Sequence, residues 1–327
     1  MDKVCIVGFG CIGPNHANAL LKTENVVLYA ICDPDETVRE RAEKEYGVKT
    51  YSDFETVLQD SEITSVHICT PHYLHFPMIK QALAAGKKVV AEKPITRTRE
   101  EFDQLLNLEG AERVCAVFQN RYNPCVVALK KAIDNGELGK ILGVKGILTW
   151  FRDSAYYEAG GWRGRYDTEG GSVAINQAVH TLDLMIHFAG SVRDIQGATF
   201  NFTLQDTIEM EDTAVAHLNF ESGARGTFFA TNGYAENSPY FLEVVGEKGK
   251  ARYQDGKLWL NGEQVLDENS NATAMGKSYW GSGHEMLIRR FYENGEKISI
   301  YDVENTMKTL FALYESAKNG ATKIAIS

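Results

Sequence analysis

Val4-Cys5-Ile6-Val7-Gly8-Phe9-Gly10-Cys11-Ile12-Gly13-Pro14 sets four apolar residues before a Gly-x-Gly-x-x-Gly turn, and a helix-like stretch near Asn15–Leu21 follows it. A glycine-rich turn alone suits many structures. Between a strand and a helix the three glycines play different parts. Gly8 permits the tight turn, Gly10 lets the backbone approach a pyrophosphate, and Gly13 lets the helix pack closely on the strand. The helix start offers free N–H groups and a partial positive charge to phosphates, and Pro14 fits there because its missing N–H costs little. Asp33 ends the second apolar run, 20 residues after Gly13, where an acidic residue binds ribose hydroxyls. Its carboxylate would repel a 2′-phosphate. No arginine follows directly, Arg39 being six residues on, so NAD is expected in preference to NADP.

Outward from this motif, apolar runs at Val4–Val7, Val26–Cys32, Ser65–Cys69, Lys88–Ala91 and Arg113–Phe118 alternate with helix-like stretches. That order predicts βαβ units and a doubly wound parallel sheet, and runs apolar throughout suit strands buried on both faces. The pattern changes after about residue 125. A helix at Val126–Asn135 and a run at Lys140–Phe151 precede a glycine-rich stretch, Gly160–Gly171, and a helix from about Ser172 to Ala189. Alternating segments at Ile195–Leu204, Asp212–Phe220, Ala224–Thr231 and Tyr240–Val245 then predict a largely antiparallel sheet with one face covered. Helical patterns at His284–Glu293 and Val303–Lys318 close the chain. The fold expected is α/β, with a Rossmann domain over 1–122 and an α+β domain over 123–327.

The 327 residues suit two domains. A net charge of −10, from 34 basic and 44 acidic residues, argues against nucleic-acid binding. No apolar run is long enough to span a membrane and no signal-peptide pattern is seen at the start. The six cysteines form no Cys-x-x-Cys pair, and Cys5, Cys32, Cys69 and Cys115 sit in strand-like runs. A disulfide framework or zinc site is therefore not expected, and a reducing, cytoplasmic setting is.

Thr70-Pro71-His72 ends the fourth run, where doubly wound sheets present ligand-contacting loops; His72 and His75 lie beside the cofactor or are exposed at a helix start. Glu92-Lys93-Pro94 ends the fifth. A lysine there is poorly solvated, which favours its neutral form and suits it to binding or moving a proton, unless the pair is a surface ion pair. Phe9 and Ile12 of the turn and Gln119 after the last run complete the expected cofactor set.

Together Gly8-Phe9-Gly10-Cys11-Ile12-Gly13, Thr70-Pro71-His72, Glu92-Lys93-Pro94 and Gly170-Gly171-Ser172-Val173-Ala174-Ile175-Asn176-Gln177-Ala178-Val179-His180 closely resemble the Gfo/Idh/MocA family over nearly the whole chain. Gly161-Trp162-Arg163-Gly164 and Gly281-Ser282-Gly283-His284 resemble motifs of some members. The resemblance implies an open-faced sheet domain that often mediates oligomers, so a homo-oligomer, dimer or tetramer, is expected. It also implies Lys93 at the reaction centre, a cis Lys93–Pro94 peptide, and a sugar, glycoside, cyclitol or nucleotide sugar as substrate. Many members have aspartate where this chain has Asn176, and asparagine can bind a hydroxyl but not take its proton.

Asn176, His180, Asp183 and His187 are spaced by 4, 3 and 4, which places them on one stripe of a helix beside an apolar face of Val179, Leu182 and Ile186. Near the helix start the dipole opposes protonation of His180, leaving a neutral imidazole able to accept a substrate proton. A structural polar stripe is the rival reading, and His180 and His187 are roughly 10 Å apart, too far for one metal site. Arg121 and Arg163 offer planar forks for phosphate, carboxylate or paired hydroxyls, and Trp162 offers a face to a pyranose ring, unless these are surface loop residues. His284 lines the pocket or merely starts a helix. The reaction expected is reversible oxidation of a secondary alcohol, with His180 as base and Lys93 assisting. The rivals are a redox-neutral converter that retains NAD and a non-catalytic NAD-binding sensor.

Overall fold

The apolar runs of the N-terminal region form a parallel sheet in the computed structural model, which describes residues 1–268 and 282–326. Its strands are β1 (Asp2–Val7), β2 (Val26–Cys32), β3 (Lys49–Tyr51), β4 (Ser65–Ile68), β5 (Lys88–Ala91) and β6 (Val114–Ala116), in the order 3-2-1-4-5-6. This is the doubly wound Rossmann order, with its reversal point between β1 and β4. Val4, Cys5, Ile6, Val66, Ile68, Val89 and Val90 are all fully buried, as strands covered on both faces require. β3 was not anticipated: it has three residues, lies at the sheet edge and reads as polar.

Helices α1 (Gly13–Leu20), α2 (Glu36–Tyr46), α3 (Phe54–Gln59), α4 (His72–Ala84) and α5 (Arg99–Leu106) connect these strands. The chain divides into two compact units, one of Met1–Gln119 with Ser282–Val303, the other of Asn120–Gly281 with Glu304–Ser327. The segment from 282 to 303, expected in the C-terminal domain, thus belongs to the first unit. Its helix Gly283–Arg289 packs on α1. Further on, Ala116 N–H donates to Ile298 O and Cys115 bridges Ser299, which covers the otherwise open edge of β6.

The second unit begins with α6 (Pro124–Asp134) and is built on nine strands: β7 (Ile141–Thr149), β8 (Val192–Phe200), β9 (Thr213–Phe220), β10 (Arg225–Thr231), β11 (Phe241–Gly246), β12 (Lys250–Gln254), β13 (Lys257–Leu260), β14 (Glu263–Asp267) and β15 (Ile324–Ala325). Their order is 14-13-12-11-7-10-9-8-15, and among the described residues only β7 and β10 pair in parallel. The register puts Ala216, Phe228, Gly146 and Leu242 in one row across β9, β10, β7 and β11, all buried. The next row, Val215, Phe229, Ile147 and Phe241, is half-exposed. The period of two in the sequence is therefore one covered and one open face. The covered face carries α8 (Val179–Ala189), which follows the short α7 (Ser154–Glu158), and the helix Glu304–Lys318. Gly146 allows the close approach of α8: an added Cβ would lie 2.5 Å from Met185 Sδ and 2.7 Å from Thr181 Cγ2. Among the described residues no helix is long and apolar enough to cross a membrane.

Candidate functional site

In the first unit the glycine turn is shaped by its neighbours. Gly8 has φ +84°, and an added Cβ would lie 2.9 Å from the carbonyl carbon and oxygen of Cys69. At Gly13 it would lie 2.7 Å from the Phe9 ring. At Gly10 it would meet nothing within 4 Å, so that position faces open space. Asp33 is anchored here: Oδ2 accepts from Phe9 N–H at 2.8 Å and Oδ1 from Asp35 N–H at 3.0 Å. Arg39 donates to the main-chain oxygens of Asp33 and Pro34, at 2.8 Å each.

Helix starts discriminate further. α2, α3 and α5 are capped by the side chains of Asp35, Asp53 and Thr98. α1, whose N-cap is Ile12, and α4, whose N-cap is Pro71, have no side-chain cap and no acidic residue in the first turn. These two helices follow β1 and β4, the strands flanking the reversal point. The N–H groups that helices leave unsatisfied are thus left for a ligand where the topology places one. The open space at Gly10, the uncapped α1 and the anchored Asp33 fit a dinucleotide's pyrophosphate and ribose. Gly10→Ala should change stability by no more than about 0.5 kcal/mol, because an added Cβ meets no protein atom within 4 Å. It should weaken NAD binding by at least about tenfold. Urea unfolding and calorimetric titration check the pair, and unchanged NAD affinity would contradict the assignment.

His72 and His75 are buried, not exposed. His75 Nδ1 lies 2.7 Å from Pro94 O and Nε2 2.8 Å from Thr70 O. It braces the loop after β4 against the loop after β5. Burial lowers its pKa, so the neutral ring donates to one carbonyl at a time. Gln119, after β6, is buried.

Glu92 and the half-buried Lys93 end β5, and the Lys93–Pro94 peptide is cis. Glu92 Oε1 accepts from His16 Nε2 and His284 Nε2, both at 3.1 Å, and Oε2 from Lys93 N–H at 3.2 Å. Burial opposes ionisation of Glu92, yet the two imidazole bonds outweigh it and hold the carboxyl well below the usual range. Burial lowers the pKa of His16 and, more strongly, of His67. A neutral His16 donating to an ionised Glu92 must accept at Nδ1. His67 Nδ1, 2.9 Å away, therefore donates to it. His67 Nε2 then accepts from Tyr292 Oη at 2.9 Å, and Tyr292 accepts from Ser65 at 2.7 Å. One set of tautomers satisfies the chain. The ligand atoms of His16, Glu92 and His284 lie within 4.8 Å of one another, close enough for a cation, but protons alone account for their hydrogen-bond separations. His284, in the first turn of its helix, is a buried partner of Glu92 in the first unit. Gly281 of its motif lies outside the described residues.

In the second unit the expected continuous helix is broken. Val173–Gln177 is wound as a π-helical turn, with Ala178 N–H donating to Val173 O at 2.8 Å, and α8 starts only at Val179. Asn176 lies in that turn, whereas His180, Asp183 and His187 lie in α8. Asn176 donates through Nδ2 to Glu169 Oε1 at 2.6 Å. Asp183 instead faces Arg121, which binds it in two-point fashion through Nε at 2.8 Å and Nη2 at 2.5 Å, and accepts from Thr306 at 2.9 Å. The Arg121 fork is therefore engaged, through Nε and Nη2, by a buried aspartate. Burial and Arg121 push His187 down to about 4. The apolar face is as expected, with Val179, Leu182 and Ile186 buried. Asn176 and His180 are half-buried. Trp162 and Arg163 are also half-buried, and the Arg163 guanidinium lies over the rings of Tyr156 at 4.7 Å and Trp162 at 4.8 Å.

Two carboxylates that sequence reasoning missed support this region. Glu169 Oε2 accepts from Gly164 N–H. Glu211 Oε1 accepts from Ser172 and Ala174 N–H, at 3.0 and 3.1 Å, and from Tyr314 Oη at 2.9 Å, which ties down the start of the π turn. Their signal was slight: Glu169 directly precedes Gly170-Gly171, and a charged residue in a glycine-rich loop reads as solvated.

Residues 3–120 match the model of an oxidoreductase family with an NAD-binding Rossmann fold, GFO_IDH_MocA, and residues 126–252 match the GFO/IDH/MocA C-terminal domain. The chain is 28% identical over 254 residues to scyllo-inositol 2-dehydrogenase (NAD(+)) of Bacillus subtilis, spanning 76% of this chain and 72% of that protein. It is 25% identical over 282 residues to levoglucosan dehydrogenase of Pseudarthrobacter phenanthrenivorans, with 76% and 72% covered. Among solved structures, the WlbA dehydrogenase from Bordetella pertussis in complex with NADH and UDP-GlcNAcA superposes with a TM-score of 0.88 at 27% identity, over 100% of this chain and 98% of that one. A levoglucosan dehydrogenase complex with NADH and levoglucosan shares the fold, with a TM-score of 0.89 at 20% identity and 99% of each chain covered.

Proposed function

This chain belongs to the Gfo/Idh/MocA oxidoreductase family, and from that premise we propose that it oxidises a secondary alcohol of a sugar, cyclitol or nucleotide sugar, with NAD in preference to NADP. The observation that carries the reading is the Rossmann sheet whose uncapped helices flank its reversal point, with Lys93 fixed at the end of the neighbouring β5. The substrate class rests on the likeness to relatives named for inositol and levoglucosan and to a structure with a bound UDP-sugar acid. NAD is preferred because the Asp33 carboxylate is held by two main-chain N–H groups at the ribose position, where a 2′-phosphate would meet like charge.

Bound NAD supplies the hydride acceptor. The protein's part is binding and proton transfer. His180 takes the hydroxyl proton as the C–H bond breaks, with Lys93 assisting, and in reduction Lys93 protonates or polarises the carbonyl oxygen. Trp162, Arg163 and Asn176 bind the substrate. A cytoplasmic homo-oligomer goes with this reading, its sheets meeting through the half-exposed row of Val215, Phe229, Ile147 and Phe241.

The test is a panel of inositols, levoglucosan and UDP-sugars with NAD⁺ and NADP⁺, followed by the absorbance of the reduced nicotinamide. Turnover of at least one substrate is expected, with kcat/KM favouring NAD⁺ by about tenfold or more. Substrate conversion without net absorbance change, with NAD retained through purification, would point to the redox-neutral converter instead. NAD binding without conversion of any substrate would contradict both.

A further inference from the structure

We propose that Arg163 reads a negative charge on the substrate, so that the alcohol oxidised belongs to a sugar or cyclitol derivative carrying a carboxylate or a phosphate group. This rests on the reading above that Arg163 binds substrate, and narrows the substrate class.

The argument begins with what holds the guanidinium. It lies 4.7 Å from the centre of the Tyr156 ring and 4.8 Å from that of Trp162. Among the described residues it makes no hydrogen bond and no ion pair. Residues 269–281 contain no aspartate or glutamate. Ring faces hold the charge in place without neutralising it or supplying an oxygen to its five N–H donors. A half-buried cation without a counter-charge has lost water that nothing replaces. An arriving anion offsets that loss and takes two donors of the fork at once, whereas a neutral hydroxyl brings no charge.

The contrast with Arg152 isolates Arg163. The Arg152 guanidinium shares the Tyr156 ring, at 5.1 Å, and also lies over Trp150 at 4.9 Å. Its Nη1, however, donates to Phe151 O and Asn237 Oδ1, at 2.6 Å each. Arg152 therefore adds positive charge, and Arg163 holds its donors uncommitted beside it. The nearby acids are directed to the main chain: Asp153 accepts from Tyr156 N–H at 3.0 Å, Glu209 from Tyr166 N–H at 3.1 Å, and Glu169 from Gly164 N–H. Burial pushes the Glu169 carboxyl up to about 7, so near neutrality it gives Arg163 less than a full negative charge.

The fork is also held in a set place. Thr168 Oγ1 donates to Trp162 O at 2.5 Å, and Glu209 N–H donates to Gly164 O at 2.7 Å, so the main chain is tied on both sides of Arg163. Tyr156 packs against the cluster of Tyr157, Leu204 and Ile208 and accepts from Gln177 Nε2 at 3.1 Å. Gln177 is the chain neighbour of Asn176, which brings Arg163 to the π turn that carries the substrate-binding amide.

Two variants disturb the fork differently. Arg163→Gln removes the charge. Gly160→Ala keeps the charge and moves it, because an added Cβ would lie 2.5 Å from Arg163 Nη1. Gly160 lies outside the left-handed region, so its backbone accepts alanine.

The experiment has two arms on the full-length protein. In the first, the protein with saturating NAD⁺ is titrated calorimetrically with glucose, glucuronate and glucose 1-phosphate. At least one anion should bind about tenfold or more tightly than glucose, and the tighter of the two identifies carboxylate or phosphate as the group read. In Arg163→Gln the advantage should fall to within about threefold. Neither anion binding better than glucose, or an advantage retained in Arg163→Gln, overturns the proposal. If Arg163→Gln does not fold, Gly160→Ala decides by the same criterion. In the second arm, kcat/KM for the UDP-sugars of the panel should exceed that for the inositols and levoglucosan by about tenfold or more. Arg163→Gln should lower this ratio about tenfold, and Arg163→Lys, which keeps the charge without the planar fork, should fall between. A neutral inositol or levoglucosan as the best substrate overturns the proposal. So does an equal loss on charged and uncharged substrates, which would mean that Arg163 only holds the loop. Failure of the oxidoreductase reading would appear as no turnover of any panel substrate and leave the calorimetric arm intact.

Discussion

Lys93→Ala should lower kcat by about 10³-fold while leaving NAD affinity within about threefold, because one positioned acid–base group contributes about 10²–10⁴ in rate. The separation of effects follows from where the cofactor contacts lie. Pyrophosphate and ribose are assigned to the glycine turn, α1 and Asp33, none of which involves the Lys93 side chain. The main chain at Lys93 is held independently, since its N–H donates to Glu92 and Glu92 is fixed by His16 and His284. The main chain at residue 93 is therefore held without help from the lysine side chain. Lys93→Arg should be nearly as inactive, because a guanidinium keeps the charge and does not release a proton near neutrality. Steady-state rates and calorimetric NAD titration measure the two quantities. Activity within about tenfold of the wild type would show that the lysine is not at the reaction centre.

The second large effect is on stability. Asp183→Ala should destabilise the second unit by about 3–5 kcal/mol. The Asp183 side chain is 1% exposed and that of Arg121 12%, so the change removes a two-point acceptor from a guanidinium with little water to replace it. Thr306 loses its acceptor as well. Replacing both members, Arg121→Leu with Asp183→Leu, should recover much of the loss, since a buried ion pair contributes far less than the cost of breaking it. Urea unfolding of the single and double variants checks this. A loss below about 1 kcal/mol for Asp183→Ala would mean that the pair is exposed and that Arg121 is available to substrate.

The first sheet was legible because its strands are short apolar runs punctuated by glycine and acidic residues. β3 escaped because three residues at a polar edge carry no periodic signal. In the second unit the alternation of β9 and β10 announced one covered face, and the register bears it out. What failed were relations that no local pattern encodes. A π turn, Val173–Gln177, interrupts a segment whose composition reads as ordinary helix. His284 lies late in the chain and was assigned with its sequence neighbours, whereas the chain returns to cover β6 and supplies His284 and Tyr292 to the buried network around Glu92. Arg121 was recognisable as a fork of donors, but its partner, 62 positions on, is known only from the fold.

The account depends on hydrogen moving directly from the substrate carbinol to the nicotinamide. The most direct measurement uses a substrate from the panel carrying deuterium at the oxidised carbon, with mass analysis of the reduced cofactor after turnover. Reduced nicotinamide that carries the deuterium is predicted. Reduced cofactor holding only solvent hydrogen, or deuterium returned wholly to a sugar product, would contradict net hydride transfer to NAD.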